Sequence, residues 1–295
     1  MTVRADIAKA MYIGTKEVFK KNLEKAPKEE WKEYATVKTS DKMEEEYATI
    51  GNLKPAHIKA EGEAVEYGKM TDGNVTTVKN ETVANGLTMS MEAKEDDQWA
   101  MLSDARAKEL IRTMQDQREE AVAEIWNNVQ TSTGANGVTY ANNAHPLLNS
   151  AGTNDNLVSG VFDIDNYKLA VNKFNAWKNH TGKKFVTKPS AFLCHRDRQT
   201  EVMAMLESTL VAFESSNTKN TVPKLTAIFS TYIDELPVHV LDTAIDSAIF
   251  QRRKEIQTEY DYDKRSTYNF YFNIHERYKA AMINPGFGFV TITGE

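Results

Sequence analysis

The side chains that could perform chemistry are scattered along this chain rather than grouped. Its histidines are His57, His145, His180, His195, His239 and His275. They form no His-x-x-x-His pair, and the single cysteine rules out a Cys-x-x-Cys pair, so no zinc site is predicted. Cys194 and His195, with Asp197 nearby, have the residue types of a thiol nucleophile and its base. Because neighbouring residues of a strand point to opposite faces, we predict a buried cysteine beside a helix cap instead.

Acidic side chains cluster at Glu44-Glu45-Glu46, Glu95-Asp96-Asp97, Glu119-Glu120 and Asp261-Tyr262-Asp263. We interpret the second cluster as a helix cap, the last as a surface loop and the other two as solvated faces. An enzyme with an unrecognised pair of acids stays open as an alternative. The sequence contains no phosphate loop, dinucleotide fingerprint or nucleophile elbow. We therefore predict no catalytic residue, no cofactor and no metal ligand.

Composition indicates a soluble globular protein. Of the 295 residues, 41% are hydrophobic and 26% are charged, which suits one large or two ordinary domains. No apolar run approaches the length of a membrane span, and the start lacks the apolar segment of a signal peptide. The net charge of −6 and the absence of a basic stripe argue against a protein whose main task is gripping nucleic acid.

The first 50 residues predict an N-terminal arm. Up to about residue 47 they look helical and polar, with only a narrow apolar stripe that includes Val18, Phe19 and Leu23. A segment with so little apolar surface cannot form its own core, so we expect it to pack against something else. A frayed helix pair on the same domain is the alternative.

Residues 51–82 predict a long hairpin. Ile58, Val65 and Tyr67 alternate with glutamates, Thr71-Asp72-Gly73-Asn74 is a turn signal, and residues 75–78 favour a return strand. An isolated two-stranded hairpin is marginal in water, so it should lie on a neighbouring molecule. An ordinary surface hairpin on its own domain is the alternative.

A helix of about 98–129 follows, with Asp96 or Asp97 as its N-cap. Leu110, Met114 and Ile125 fall on its apolar face. The side chains assigned largely to its solvated side are Arg106, Arg112, Gln117, Arg118 and Glu119. Beyond residue 162 the pattern alternates between helices and short strands, and residues 268–292 are β-rich.

The order of these features resembles a known family. A strand pattern from Ala84 leads into Glu95-Asp96-Asp97 and Trp99, and a polar loop ends in Ala144-His145-Pro146-Leu147-Leu148. This order resembles the major capsid proteins of tailed bacteriophages, especially the Mu-like major head subunits. The resemblance implies an α+β (mixed α/β) tailed-phage major capsid fold. Its expected parts are an N-terminal arm (1–50), an extended loop (51–82), a peripheral domain (83–145 and 266–295) with the spine helix, and an axial domain (146–265).

The resemblance also implies a function in assembly. The chain would form the hexamers and pentamers of an icosahedral shell that encloses phage double-stranded DNA. It would not bind that DNA in a sequence-specific way, and no membrane is expected as a partner. Expected interface residues at the loop tip are Tyr67, Lys69, Thr71, Asp72, Gly73 and Asn74. Residues expected to cap and pack the spine helix are Asp96, Asp97, Leu110, Met114 and Ile125.

Expected partners are further copies of the chain, a separate scaffolding protein, a portal, and head-completion or decoration proteins. The expected location is the virion, after assembly in the bacterial host cytoplasm. An encapsulin-like nanocompartment shell is the rival of the same fold, and it would need a cargo-binding surface near the arm. A tail or baseplate component is a further rival, expected to show repeats or a β-sandwich pattern.

Overall fold

The computed structural model describes residues 17–50, 56, 58–65, 67, 72–90, 92, 96, 99–184, 186–210, 219–262 and 269–294. The helices are α1 (17–24), α2 (Trp99–Asn127), α3 (Ile164–Ala176) and α4 (Gln199–Glu207), with 3-10 turns at Glu30–Glu33 and Arg196–Arg198. The strands are β1 (Thr36–Thr39), β2 (Glu44–Ile50), β3 (Asp72–Lys79), β4 (Glu81–Met89), β5 (His145–Pro146), β6 (Thr153–Asn154), β7 (Leu157–Val158), β8 (Ala191–His195), β9 (Thr226–Ser230), β10 (Val238–Leu241), β11 (Ala248–Tyr262), β12 (Phe270–Met282) and β13 (Phe289–Ile292).

A four-stranded sheet, in the order β1-β11-β12-β4, supports the long helix α2. Strand β12 buries every second residue along its whole length, which is the pattern of a strand with one face on a core. Helix α2 packs on β12 and β4, and it begins and ends within two residues of the predicted spine helix. Leu110 and Met114 are buried as predicted, whereas Ile125 is only partly buried.

A five-stranded sheet, in the order β7-β13-β10-β8-β9, forms the second half of the fold. One face packs against α3 and α4, and the other faces the C-terminal half of α2. Strand β8 is buried on both faces, which explains its continuous apolar sequence Ala191–Cys194. Trp126 of α2 packs edge-on against Phe289 of β13, with ring centroids 5.3 Å apart. The helix therefore belongs to the core that joins the two sheets.

Two strands lie in sheets other than those expected from their place in the sequence. Strand β11 lies in the range expected for the axial domain, but it pairs with β1 and β12 under α2. Strand β13 lies in the range expected for the peripheral domain, but it pairs with β10 and β7 of the five-stranded sheet. The chain therefore returns to the four-stranded sheet after Leu241 and goes back to the five-stranded sheet after Met282. Sequence order misled the expectation because sheet membership depends on pairing rather than on adjacency in the chain.

The arm also differs from its prediction. Residues 17–24 are helical, but residues 36–39 and 44–50 are strands, so a helical pattern up to about residue 47 is wrong. Strand β1 pairs in parallel with β11 of the same subunit, and Phe19 is buried under α2. Residues 17–39 thus pack on their own subunit, and residues 1–16 lie outside the described part. Among the described residues, no helix has both the length and the apolar character needed to cross a membrane.

Candidate assembly interface

The hairpin is anchored at its base. Strands β2 and β3 pair antiparallel from Glu44 opposite Lys79 to Ile50 opposite Asp72. Val78 is buried against the four-stranded sheet, and Tyr47 donates its hydroxyl to Gln251 Oε1 at 2.8 Å. These contacts fix the base of the hairpin on the body of the subunit.

The segment between the two hairpin strands is exposed wherever it is described. Ile58 is 99% exposed and Tyr67 is 92% exposed, and Val65 is also exposed. Residues 58–65 form no strand, and β3 pairs with β2 instead. The prediction that β3 pairs with this segment is therefore wrong. Among the described residues, nothing covers these three large apolar side chains.

The predicted turn at the loop tip is wrong. Asp72, Gly73 and Asn74 lie in strand β3, while Lys69 and Thr71 lie outside the described residues. A Cβ atom on Gly73 would come within 2.5 Å of both Leu148 Cδ1 and the Thr49 carbonyl oxygen. The glycine therefore permits a close approach of Leu148, which turn statistics do not reveal.

The Ala144–Leu148 motif supports this part of the fold. His145 is buried, and its Nε2 lies 3.0 Å from the Tyr140 carbonyl oxygen, so the imidazole is hydrogen-bonded to the backbone of the preceding loop. A Cβ atom on Gly286 would lie 2.6 Å from His145 Cγ, so the imidazole packs directly on the turn before β13. The motif thus holds the loop after α2 against the C-terminal turn.

The arm is joined to α2 by a buried carboxylate. Glu119 Oε1 accepts the backbone N–H of Glu30 at 2.6 Å, and Oε2 accepts that of Trp31 at 3.0 Å. Tyr34 donates its hydroxyl to the same Oε2 at 3.4 Å. Since these backbone groups begin a 3-10 turn, a side chain from α2 caps a turn of the arm. Trp31 beside it is 0% exposed and packs against Phe250, with ring centroids 4.2 Å apart.

An ion cluster lies next to this cap. The Arg118 guanidinium donates to Glu276 Oε1 and Oε2 on β12, at 2.9 Å from Nε and 2.6 Å from Nη2 respectively. Its Nη1 donates to Glu29 of the arm, which also pairs with Lys32 at 2.5 Å. The Arg118 guanidinium on α2 thereby joins the helix both to the arm and to strand β12.

Burial shifts the proton affinities at this junction. Burial raises the pKa of Glu119 to about 7, aided by the charges of Glu30 and Glu29 and opposed by its two backbone hydrogen bonds. Burial also raises the pKa of Glu276, although Arg118 offsets part of that effect. Burial alone would raise the pKa of Glu29, but Lys32 and Arg118 lower it below its ordinary value.

Arg118 and Glu119 were predicted to be solvated, and both are buried. Among the side chains of α2 that the structure describes, the buried ones are Ala107, Leu110, Ile111, Met114, Arg118, Glu119, Val122, Ala123 and Trp126. Arg118 lies four residues after Met114 and four before Val122, so the sequence does place it on the apolar stripe. The helical spacing of Arg118 therefore indicates burial, whereas the prediction of a solvated side chain relied on its charge.

The sequence matches the family described as Mu-like prophage major head subunit gpT over residues 8–162, more than half of its length. The chain belongs to this family. It is a tailed-phage major head subunit, whose copies build the icosahedral shell of the virion.

Solved structures share the fold of this head subunit at low sequence identity. The procapsid of bacteriophage JBD30 has a TM-score of 0.56 at 13% identity, covering 98% of this chain and 76% of that chain. The capsid of the native GTA particle has a TM-score of 0.56 at 11% identity, covering 90% and 91%. The SrpI encapsulin from Synechococcus elongatus has a TM-score of 0.53 at 10% identity, covering 90% and 88%. No curated protein matches the sequence.

The head subunit's cysteine is unsuited to nucleophilic chemistry. Cys194 is fully buried, and burial raises the pKa of its thiol to about 12, so it is a thiol at neutral pH. His195 Nδ1 instead accepts the backbone N–H of Asp197 at 3.1 Å and caps a 3-10 turn, as predicted. Potential ligand atoms of His195, Asp197 and Glu235 lie within 4.8 Å of one another, but both carboxylates are exposed. The His195 cap already explains why His195 and Asp197 lie close together.

The cap of α2 stays a prediction. Asp97 lies outside the described residues, and Asp96 stands in a turn with its backbone N–H donated to the Glu92 carbonyl oxygen at 3.0 Å.

Proposed function

We propose that residues 51–71 of each head subunit reach onto a neighbouring subunit and hold the rings of the shell together. The observation that carries this proposal is the exposure of Ile58, Val65 and Tyr67 above a well-anchored hairpin base. Exposed apolar side chains of this kind mark surfaces that bind another protein. The neighbour's contribution would be an apolar surface, since these three exposed side chains are apolar.

The base of the hairpin supports this arrangement mechanically. The two strands are held by Val78 and Tyr47, so the base does not depend on the neighbour. A segment that starts from a fixed base loses less conformational entropy on docking than a free tail would. Tyr67, Lys69, Thr71, Asp72, Gly73 and Asn74 remain the proposed contact region, with Asp72 to Asn74 acting from strand β3.

The proposed assembly consists of hexamers and pentamers around double-stranded DNA. Head-to-tail contacts between identical subunits close into rings, and contacts between rings extend them into a shell. We propose that a separate scaffolding protein, a portal and head-completion or decoration proteins act with it, and that assembly takes place in the host cytoplasm. A structural role without catalysis agrees with the family and with the buried state of Cys194.

We further propose two domains that follow the two sheets. The peripheral domain would contain α2 and the four-stranded sheet, including β11. The axial domain would contain α3, α4 and the five-stranded sheet, including β13.

The test removes the segment without disturbing its base. Ile50 and Asp72 are cross-strand partners, so residues 51–71 can be replaced by a two-residue Asn-Gly turn. We expect this variant to remain folded, with a melting temperature close to that of the original subunit, but to form no shells by electron microscopy.

A second variant separates side-chain contacts from length. The triple change Ile58→Ser, Val65→Ser and Tyr67→Ser keeps the segment's length, and it should also prevent shell formation. Val186→Ser is the matched control because Val186 is equally exposed but lies outside the hairpin. Normal shells from both hairpin variants, under conditions where the control assembles, would refute the proposed contact.

A further inference from the structure

A groove of about 950 Å³ lies between the C-terminal half of α2 and the end of the four-stranded sheet. We name it the sheet-edge groove. Its walls are α2 from Gln117 to Asn127, strand β3 from Thr76 to Lys79, and strand β12 from Tyr278 to Met282. Ile125 of α2 lines this groove, which explains why its side chain is only partly buried although it lies on the apolar stripe of the helix.

Strand β12 has an unpaired edge in this groove. Its pairing with β11 continues to Met282, whereas its pairing with β4 ends where Tyr278 lies opposite Glu81. Residues 279–282 therefore pair with β11 on one side and with no described strand on the other. Because successive residues of a strand point their backbone groups to alternate sides, every second residue of this stretch directs its N–H and C=O groups away from β11. Such an open edge can accept a further strand.

A buried hydroxyl at the same edge lacks a partner. Tyr278 is 4% exposed, and its hydroxyl has no hydrogen-bond partner among the described residues. A buried hydroxyl without a partner costs stability, and the carbonyl oxygen of an added backbone would accept its hydrogen. Strand β3, on the opposite wall, pairs only with β2 in the part of the chain that the structure describes. The walls thus present groups that the backbone of a guest strand would satisfy.

The charges around the groove are mainly negative. The charged residues that line it are Glu81, Glu120, Glu124, Asp234, Lys79 and Lys279. Lys279 pairs with Glu81 at 2.9 Å, so these two charges offset each other. Glu120, Glu124 and Asp234 are exposed, and none of them forms an ion pair with another described residue. The groove therefore favours an extended segment that carries positive charge.

The hairpin segment divides into two halves by charge. Residues 54–60 contain two lysines and no acidic residue, whereas residues 61–66 contain three glutamates and no basic residue. In their own subunit Ile58 is 99% exposed and Lys59 is also exposed, so this segment does not fill the groove of the subunit that carries it. A second copy of the chain can supply the basic half, whose charge is opposite to that of the groove.

We propose that the sheet-edge groove binds residues 56–60 of a second copy as a strand added to β12. Side chains alternate along a strand, so Ile58 would face the hairpin base while Lys59 faces α2. The methylene stem of Lys59 would cover Ile125, and its ammonium group would approach Glu124. This inference rests on the proposed contact between subunits, and it names both the surface on the neighbour and the part of the segment that it binds.

A charge exchange tests the contact between Lys59 and Glu124. The measured quantity is the protein concentration at which the full-length subunit forms shells, followed by light scattering. Lys59→Glu and Glu124→Lys should each raise this concentration about fivefold, because each replaces an attraction by a repulsion. The double variant restores opposite charges, so it should assemble within about twofold of the original subunit.

Glu109→Lys is the matched control for Glu124→Lys. Glu109 is an exposed glutamate of the same helix that does not line the groove. Combined with Lys59→Glu, it gives the same net charge as the exchange variant but should not restore assembly. Equal rescue by the two lysine substitutions would show that only net charge matters, and would overturn the proposal. Absence of rescue by Glu124→Lys would overturn it as well.

Disulfide formation in assembled shells tests the position of the added strand. The native Cys194 is buried, so introduced cysteines can be followed without interference. Ala281→Cys is combined in turn with Ala56→Cys, Ile58→Cys and Ala60→Cys, which cover the possible registers on one face of the strand. Directly opposite residues of paired strands lie close enough for a disulfide, so one of these variants should give covalently linked subunits on oxidation.

The control for these variants combines Ala281→Cys with Ala64→Cys. Ala64 is an equally exposed alanine in the acidic half of the segment, and it should remain unlinked. Linkage through position 64 as strong as through the basic half, or no linkage in any variant, would refute the added strand.

The outcomes also separate this inference from the proposed shell contact. If replacement of residues 51–71 prevents shell formation but neither charge rescue nor linkage occurs, the hairpin binds elsewhere on the neighbour and only the groove assignment fails. If shells form normally without residues 51–71, both proposals fail. Rescue of Glu124→Lys by Lys9→Glu, and not by Lys59→Glu, would assign the groove to the arm of a second copy instead.

Discussion

The arm residues 29–39 and the hairpin segment 58–67 both mix many charges with a few large apolar side chains, yet those apolar side chains differ in burial. Trp31 of the arm is fully buried under α2, whereas Ile58 of the hairpin is almost fully exposed. The arm has a carboxylate cap, an ion cluster and a parallel strand to bind it, and the described hairpin residues beyond the base have no comparable contacts. Composition alone therefore does not tell whether such a segment packs on its own subunit.

The difference also shows what anchors a polar segment. Glu119 and Arg118 each bind groups of the arm that would otherwise be buried without partners. Buried charges of this kind specify one arrangement, because any other leaves charges unpaired. The hairpin segment has apolar side chains but no such specification, which suits a surface that meets another subunit.

The largest expected effect comes from removing the cation of the arm junction. Arg118→Met leaves Glu29 and Glu276 buried without their shared partner, so the free energy of unfolding should fall by about 3–5 kcal/mol. Urea unfolding of the unassembled subunit, followed by tryptophan fluorescence, measures this loss.

Arg112→Met is the control, since Arg112 is exposed and its pair with Asp116 is long at 3.7 Å. It should cost no more than about 1 kcal/mol. Equal costs for the two arginines would mean that the ion cluster does not distinguish the arm from the hairpin.

A smaller effect is expected from pH. The folded pKa of Glu119 is raised to about 7 from an ordinary value of 4.5, so its contribution to stability is fully present below pH 4.5 and is lost as the pH rises through about 7. Between these values the loss should be about 1.4 kcal/mol per pH unit. Unfolding curves at pH 5.0, 6.0 and 7.5 measure it.

Glu119→Gln removes this titration and should show a flatter dependence over the same range. Glu276, whose pKa is also raised, contributes in the same direction and remains in the variant. The variant with residues 51–71 replaced should keep the full dependence, because the hairpin takes no part in the junction. An unchanged pH dependence in Glu119→Gln would contradict the assignment.

The smallest effect on stability is expected in the hairpin. Tyr67→Ser should change the free energy of unfolding by less than about 0.5 kcal/mol, because the side chain is exposed. Its effect should appear only in assembly, measured as the protein concentration at which shells form by light scattering. A large loss of monomer stability would show that Tyr67 packs on its own subunit, as Trp31 does.

Much of the fold could be predicted from sequence periodicity. The limits of α2, the alternation of helices with short strands beyond residue 162 and the β-rich C-terminal segment follow from local apolar patterns, and the structure confirms them. The predictions of a turn at residues 71–74 and of a helical pattern up to about residue 47 were wrong. Gly73 serves a contact with Leu148, and residues 44–50 pair with β3, so partners distant in sequence overrode local propensity.

The sequence by itself determined the family, the spine helix and the absence of recognisable enzyme motifs, because these depend on residue order and local spacing. Only the tertiary structure decided that Arg118 and Glu119 are buried and that β11 and β13 exchange sheets. Each of these depends on which residues distant in sequence become neighbours. Burial and strand pairing arise from that proximity, and the order of residues along the chain does not reveal which distant residues become neighbours.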